Sequence, residues 1–214
     1  MMVKLTIIGR LNDGLPISQG PIYAAEDDDV TTIYKQHAEL LLHEISTAAL
    51  PPSATTILLH RHCFNYMVRN GICFITLCEA SYPRRLAFYY LQDLQKEFDK
   101  VDPEFVQHVT EPYSFVKFDN VICNIRRQYI DTRTQANLSK LNANHKQELD
   151  VHTEQMSIVF ERKRKSDLLE RMMRAHKSTS PVWGSNTLQV IAVKWIPIAI
   201  IFIVVFILVT SLFF

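Results

Sequence analysis

The sequence predicts an α+β domain, followed by a polar coiled-coil helix and a single C-terminal transmembrane helix. Short apolar runs separated by turn signals predict a five-stranded antiparallel sheet. Three segments with apolar residues at helical spacing predict three helices in the same domain, residues 1–130. Residues 195–214 carry no charge. At about 1.5 Å per residue, a helix of that length crosses the roughly 30 Å hydrocarbon core of a bilayer.

A hairpin and a helix open the predicted domain. Residues 2–8 alternate between apolar and polar types, residues 12–14 (Asn-Asp-Gly) form a tight-turn signal, and residues 15–17 resume the apolar run. Acidic residues 26–29 cap a helix that Pro51-Pro52 ends. Its apolar positions are Ile33, Ala38, Leu41, Leu42 and Ile45.

Three further strands and two helices complete the domain. The strands are expected at residues 55–60, 63–68 and 72–78, forming a meander. Pro83 begins an amphipathic helix that runs to about Phe98, and another helix follows from about 114 to 129. We expect these helices on one face of the sheet.

Composition excludes several classes of function. A net charge of +1 argues against a nucleic-acid binder, and the five glycines form no phosphate-binding loop. The four cysteines lie before the predicted span, in the part of the chain expected to be cytosolic, and are therefore expected to be reduced. No arrangement of nucleophile, base or paired carboxylates stands out. We therefore expect no enzyme activity, no catalytic residue and no cofactor.

Two clusters of potential metal ligands favour structural explanations. His60, His62 and Cys63 offer zinc-type donors, but no second pair of ligands has matching spacing, so a half-exposed strand edge is favoured. Residues 27–29 are three aspartates without the glycine and terminal glutamate of a calcium loop. A solvated acidic loop is the favoured interpretation, and no metal site is predicted.

The C-terminal third of the chain is expected to be a helix that leads to a membrane anchor. Residues 132–180 are polar and contain neither glycine nor proline, which predicts an uninterrupted helix that needs a partner to bury its stripe. Residues 181–194 are a juxtamembrane linker. Lys194 precedes the span on its cytosolic side, and Trp195 fits the membrane interface. A buried helix of a soluble protein is the disfavoured alternative for residues 195–214.

Four strings of the sequence are specific enough to compare with known families. The first is Asp13-Gly14-Leu15-Pro16, in the predicted hairpin. The longest is CEASYPRRLAFYYLQDLQKEF, residues 78–98. Residues 112–115 (Pro-Tyr-Ser-Phe) with 118–119 (Phe-Asp) form the third, and residues 129–133 form the fourth. These strings resemble the longin-domain R-SNAREs of the synaptobrevin-like superfamily, in particular the branch that cycles between the endoplasmic reticulum and the Golgi apparatus, and the fourth is similar to the entry into the SNARE motif. The resemblance implies a longin domain over residues 1–130.

The resemblance also places one residue at the centre of a coiled coil. Aligning Asn137-Leu138 without a gap puts Arg162 in the layer where the family's arginine meets three glutamines from partner chains. A buried cation is costly unless it is hydrogen-bonded, so this layer specifies the register of the helices. By periodicity alone Arg162 is a solvated member of the basic run 162–165. Apolar layers are expected at Leu138, Leu141, Val159, Leu169 and Met173.

The pattern departs from the family in its polar layers. More than half of the layer positions carry polar residues, and Leu149, Val151, Met156, Ile158 and Phe160 fall outside the stripe. Each polar layer forgoes about 1.5–3 kcal/mol of apolar burial. Pro181 also interrupts helix propagation before the anchor.

The resemblance implies an R-SNARE that mediates vesicle docking and membrane fusion in transport between the endoplasmic reticulum and the Golgi apparatus. Its partners would be three Q-SNARE helices (Qa, Qb and Qc) and the bilayer that holds its anchor. Its cytosolic N-terminal domain would regulate assembly or be recognised by a vesicle coat. The polar layers leave open an alternative, a non-fusogenic longin adaptor or an inhibitory SNARE that sorts or sequesters partner SNAREs.

Overall fold

The computed structural model describes residues 3–20, 28–130 and 150–178. In these ranges a six-stranded sheet has the order β2-β1-β5-β4-β3-β6. The strands are β1 Val3–Arg10, β2 Leu15–Gln19, β3 Thr55–Leu59, β4 His62–Arg69, β5 Ile72–Glu79 and β6 His152–Gln155. The helices are α1 Asp28–Ser46, α2 Arg84–Phe98, α3 Pro103–His108, α4 Val116–Ile130 and α5 Met156–Ser178.

Tight turns set the register of the antiparallel strands. Asn70 and Gly71 both have positive φ, at 52° and 75°, and join β4 to β5 so that Arg69 pairs with Ile72. Two positive φ angles are what a hairpin turn matched to the strand twist requires, and an Asn-Gly pair adopts them readily. The predicted first hairpin is likewise present, with Gly14 at φ 68° between β1 and β2. The five strands predicted in residues 1–130 are all found.

Helices cover both faces of the sheet. Phe74 and Cys78 of β5 belong to the apolar cluster that includes α2 and α4, whereas Ile75 and Leu77 belong to the cluster that includes α1. The prediction that the two helices after the strands share one face is confirmed for α2 and α4, whereas α1 covers the opposite face. Strand β5 is buried along nearly its whole length, and a strand with two buried faces needs cover on each side.

Two elements were not predicted. The short helix α3 begins at Pro103, with the Asp102 side chain accepting a hydrogen bond from the Glu104 amide at 2.9 Å. Strand β6 pairs in parallel with β3, and helix α5 begins only after it. The expectation of an uninterrupted helix through residues 132–180 is therefore wrong for residues 152–155, because these residues hydrogen-bond to the edge of the sheet. Residues 131–149 lie outside the described ranges.

The chain divides into two compact units, residues 1–159 and residues 160–214. The first contains the sheet, α1–α4, β6 and the first four residues of α5. Within the described ranges, no helix is long and apolar enough to cross a membrane. The predicted span 195–214 lies outside those ranges.

Candidate functional site: the strand and helix of residues 150–178

A segment that we call the return segment, residues 150–159, adds a sixth strand to the sheet. Its residues His152 to Gln155 pair in parallel with Thr55 to Leu58. The His152 amide donates a hydrogen bond to the Ala54 carbonyl oxygen at 3.0 Å. Strand β3 would otherwise be an open edge with unpaired backbone groups. The return segment therefore satisfies backbone groups that belong to the N-terminal domain.

Two side chains fix the return segment to the core. Met156 and Val159 are 1% and 0% exposed and belong to the same apolar cluster as Leu41, Ile57 and Phe64. Their spacing of three residues puts them on one side of the first turn of α5. Ile158, between them in sequence, is 47% exposed. Burial of each anchored side chain contributes about 1.5–3 kcal/mol, which offsets part of the ordering cost of about 1–2 kcal/mol per backbone residue.

A polar contact links the return segment to helix α2. Arg84, the first residue of α2, donates a hydrogen bond from Nη1 to Oγ1 of Thr153 at 3.1 Å. Arg84 belongs to the long string on which the resemblance rests, so that string supplies both the core helix and a contact with the returning chain.

The possible metal ligands near this edge have structural roles. His62 is buried and its Nδ1 lies 3.0 Å from the Tyr34 hydroxyl. Burial raises the pKa of the Cys63 thiol, while the hydrogen bond from Asn65 and the charge of Arg84 act in the opposite direction. A raised pKa disfavours the thiolate that a metal would bind. Across the described residues, no group of three or more His, Cys, Asp or Glu side chains could hold a metal ion.

We call residues 160–174, the part of α5 beyond the return segment whose side chains the structure describes, the exposed helix. It has large apolar side chains that lack cover in the described structure, although charged residues surround them. Leu168, Leu169, Met172 and Met173 are between 57% and 66% exposed. Leu169, Met172 and Met173 lie on one side of two successive turns and form an apolar stripe, the kind of surface that a partner typically covers.

The structure separates the residues predicted for the coiled coil. Val159 is buried in the first unit, while Leu169 and Met173 are exposed on the second. Arg162 is partly exposed at the start of the exposed helix. Leu138, Leu141, Lys194 and Trp195 lie outside the described residues, so their roles remain predictions.

Sequence reasoning missed the return segment, although a signal was present. Val151 and Met156 are apolar but fall outside the coiled-coil stripe, while His152 and Gln155 are polar and fall on it. In the structure Met156 is buried, Val151 is partly buried against the core, and residues 152–155 form the strand. Apolar residues outside the predicted coiled-coil stripe, next to polar residues on that stripe, therefore indicate that this segment has another structural role.

Comparison with known proteins agrees with this architecture. Residues 22–122 match the Longin family, described as a regulated-SNARE-like domain. A 25.3 kDa vesicle transport protein, SEC22-1 of Arabidopsis thaliana, is 34% identical over 211 residues, covering 97% of this chain and 96% of the relative. The chain belongs to the Sec22 family, the longin-domain R-SNAREs of ER–Golgi vesicle trafficking. The similarity to SEC22-1 extends over nearly the full length of this chain, so it includes the residues before and after the return segment.

Two other Sec22 relatives match a smaller share of the chain. The vesicle-trafficking protein SEC22b of Xenopus tropicalis is 37% identical over 141 residues, covering 66% of this chain and 65% of the relative. The protein transport protein sec22 of Schizosaccharomyces pombe is 36% identical over 176 residues, covering 80% and 77%. Family membership accounts for the longin fold of the first unit.

Proposed function

We propose that this Sec22-family chain assembles in parallel with three Q-SNARE helices, from Qa, Qb and Qc partners, and thereby brings a vesicle and its target membrane together. The exposed apolar stripe of Leu169, Met172 and Met173 carries this proposal. In the proposed complex Leu169 and Met173 would be interior layers, and Arg162 would meet the three partner glutamines. Folding of the coiled coil would supply the work directly, without a cofactor.

The return segment adds a condition to assembly. Val159 is an expected layer residue, yet it is buried in the core of the N-terminal domain. A side chain cannot occupy both places, so a coiled coil that includes the Val159 layer would require the return segment to leave the sheet. His152 and Gln155 would then belong to an edge strand in the unassembled protein. That role accounts for polar side chains at two positions where a coiled coil would favour apolar ones.

Membrane attachment and location follow from the same proposal. Residues 195–214 would form a single-pass C-terminal anchor, with Lys194 and Trp195 at its interface and the N-terminal domain in the cytosol. The membranes would be those of the endoplasmic reticulum and the Golgi apparatus. The longin domain would also bind a vesicle coat. The coat would recognise the folded-back form, because strand β6 lies beside β3, and Thr153 beside Arg84, only when the return segment is in place.

Mixing the detergent-solubilised chain with the cytosolic helices of early-secretory Q-SNAREs tests the pairing. Circular dichroism and gel filtration would show a stoichiometric complex with a large gain in helicity. Arg162→Gln should destabilise that complex by about 1.5–3 kcal/mol, because charge-assisted hydrogen bonds in the polar layer are lost.

Arg164→Gln is the matched control, since it makes the same chemical change two residues along the helix. At about 100° per residue, Arg164 lies on the side opposite to Arg162. It should leave the melting temperature of the complex nearly unchanged. Equal effects of the two substitutions would reject Arg162 as the layer residue, and absence of any complex across the partner set would reject pairing itself.

A second function is favoured by the return segment alone. If the folded-back form is the working form, the protein would be a non-fusogenic longin adaptor, or an inhibitor that sequesters partner SNAREs. The burial of Met156 and Val159 supports this alternative. It predicts transport that depends on the folded-back surface and tolerates Arg162→Gln.

A further inference from the structure

The exposed helix has a second surface on the side opposite to the proposed layers. Six side chains line one shallow groove there: Phe160, Lys163, Arg164, Asp167, Leu168 and Arg171. On a helix of 3.6 residues per turn, Arg164 and Arg171 lie roughly 160–200° from Arg162 and Met173. We call these six residues the outer face. Because it points away from the layers, assembly with three partner helices would leave the outer face accessible.

The outer face combines positive charge with exposed apolar surface. It has three cations, Lys163, Arg164 and Arg171, against the single carboxylate of Asp167. Phe160 and Leu168 add apolar side chains that are 36% and 57% exposed. Arginine and lysine around an aromatic and a leucine are typical of helices that lie in the interface of a membrane with anionic lipids.

One acidic side chain beside the outer face is already paired with a cation outside it. The carboxylate of Glu170 forms an ion pair with Arg174, one turn further along. The carboxylate nearest in sequence to Arg171 is therefore already paired with another arginine. The arginines at 164 and 171 are seven residues apart, so they lie two turns apart along the same side and can contact two headgroups at once.

The position of the helix in the chain favours a lipid surface as the occupant. The uncharged run of residues 195–214 begins 21 residues after Arg174 (195 − 174 = 21). A fully extended chain of that length spans at most about 75 Å. An anchored chain would therefore hold the outer face close to the bilayer at a high effective concentration, so a weak affinity suffices.

We propose that the outer face binds the anionic headgroups of the membrane that holds the anchor, leaving the layer side free for partner helices. The assignment of one side of the exposed helix to partner helices and of the other side to lipid rests on the proposed SNARE function. Phe160 and Leu168 would enter the headgroup region, and the cations would contact phosphate and carboxylate groups of the lipids. Binding of this kind weakens with salt, because its main contribution is electrostatic.

The test uses the full chain reconstituted into vesicles of phosphatidylcholine, with and without about a third phosphatidylserine. The measurement is hydrogen exchange of the amides of residues 160–174. We expect exchange at least about tenfold slower in the phosphatidylserine vesicles, since each basic residue near an anionic surface contributes a factor of roughly five. The slowing should disappear at about 0.5 M salt.

The double variant Arg164→Glu/Arg171→Glu should abolish the slowing. Its matched control, Lys96→Glu/Lys100→Glu, reverses two exposed cations on the N-terminal unit and should keep it. Equal exchange in the two vesicle types would overturn the proposal and leave the outer face to an acidic protein. Slowing that is lost in Met173→Ser but kept in the double variant would also overturn it, because the layer side would then be the lipid contact.

Assembly with Q-SNARE helices is measured in the same preparations. The double variant should still form the complex, because its substitutions lie off the layers. If no complex forms with any variant, while exchange still depends on phosphatidylserine and on Arg164 and Arg171, the pairing proposal fails and the lipid contact stands.

Discussion

Arg10 joins the first hairpin to the C-terminal end of α3 through hydrogen bonds to backbone carbonyls. Its guanidinium donates to the carbonyl oxygens of Val106 at 2.6 Å, Gln107 at 3.0 Å and Val109 at 3.0 Å, and forms an ion pair with Asp13. The Arg10 hydrogen bond lowers the pKa of the Asp13 carboxyl, and burial opposes it. The Arg10 side chain thus connects the β1–β2 turn, which was predicted from the sequence, to helix α3, which was not predicted.

Asp13→Asn tests the energetic effect of that ion pair. Because the folded-state pKa lies below the unfolded value of about 3.9, the pair stabilises the fold above that pH, and its contribution is lost as pH falls through the folded pKa. The variant should be up to about 1 kcal/mol less stable at pH 7, because much of Asp13 is exposed. Urea unfolding should show the difference shrinking towards pH 3. An unchanged difference at the two pH values would mean that the charge of Asp13 has no part in it.

At the scale of elements, the segments with strong local patterns were predictable. Strands β1, β3, β4 and β5 and helix α2 each lie within about two residues of the predicted bounds, because alternation, an Asn-Gly turn and a proline at the helix start are all local signals. Strand β6 is different. Its four residues are polar and mostly exposed, and its stability comes from the edge of β3, about a hundred residues earlier in the chain.

The same non-local origin limited prediction of the candidate site. Leu169 and Met173 show their helical spacing in the sequence, and the structure leaves them exposed. Val159 has the same spacing, but its burial depends on a pocket made by α1 and the sheet, which no local pattern reveals. Helix coverage of both sheet faces also depends on how distant elements pack.

His152→Pro tests whether β6 is held by its backbone. Proline removes the amide that donates to the Ala54 carbonyl oxygen, so the return segment should detach. Hydrogen exchange of the amides of residues 153–159 should accelerate by at least about tenfold, in line with the loss of a strand contact worth 1–2 kcal/mol.

His152→Ala is the control for that substitution, because it keeps the amide and removes only an exposed side chain. Its exchange rates should match those of the unsubstituted chain. If the alanine variant also exchanges fast, the imidazole rather than the backbone hydrogen bond holds the strand.

At the scale of the whole molecule, one segment takes part in two structures. Residues 152–155 complete the sheet of the longin domain and residues 156–159 pack against its core, and in the proposed complex both would be part of a long coiled-coil helix. The edge position of β6 makes the exchange feasible, since an outermost strand can leave without disturbing β1 to β5. The longin domain and the SNARE segment are therefore expected to regulate each other.

The most direct test of this account is the rate at which the full chain assembles with three Q-SNARE helices, compared between Met156→Asp and Ser157→Asp. Met156 is buried in the longin core but lies off the layers, so an aspartate there should release the return segment without weakening the coiled coil. Ser157 is exposed and controls for the added charge. The account predicts assembly about tenfold faster or more for Met156→Asp, with Ser157→Asp unchanged. Equal rates for both variants and the unsubstituted chain would contradict it, because the return segment would then not limit assembly.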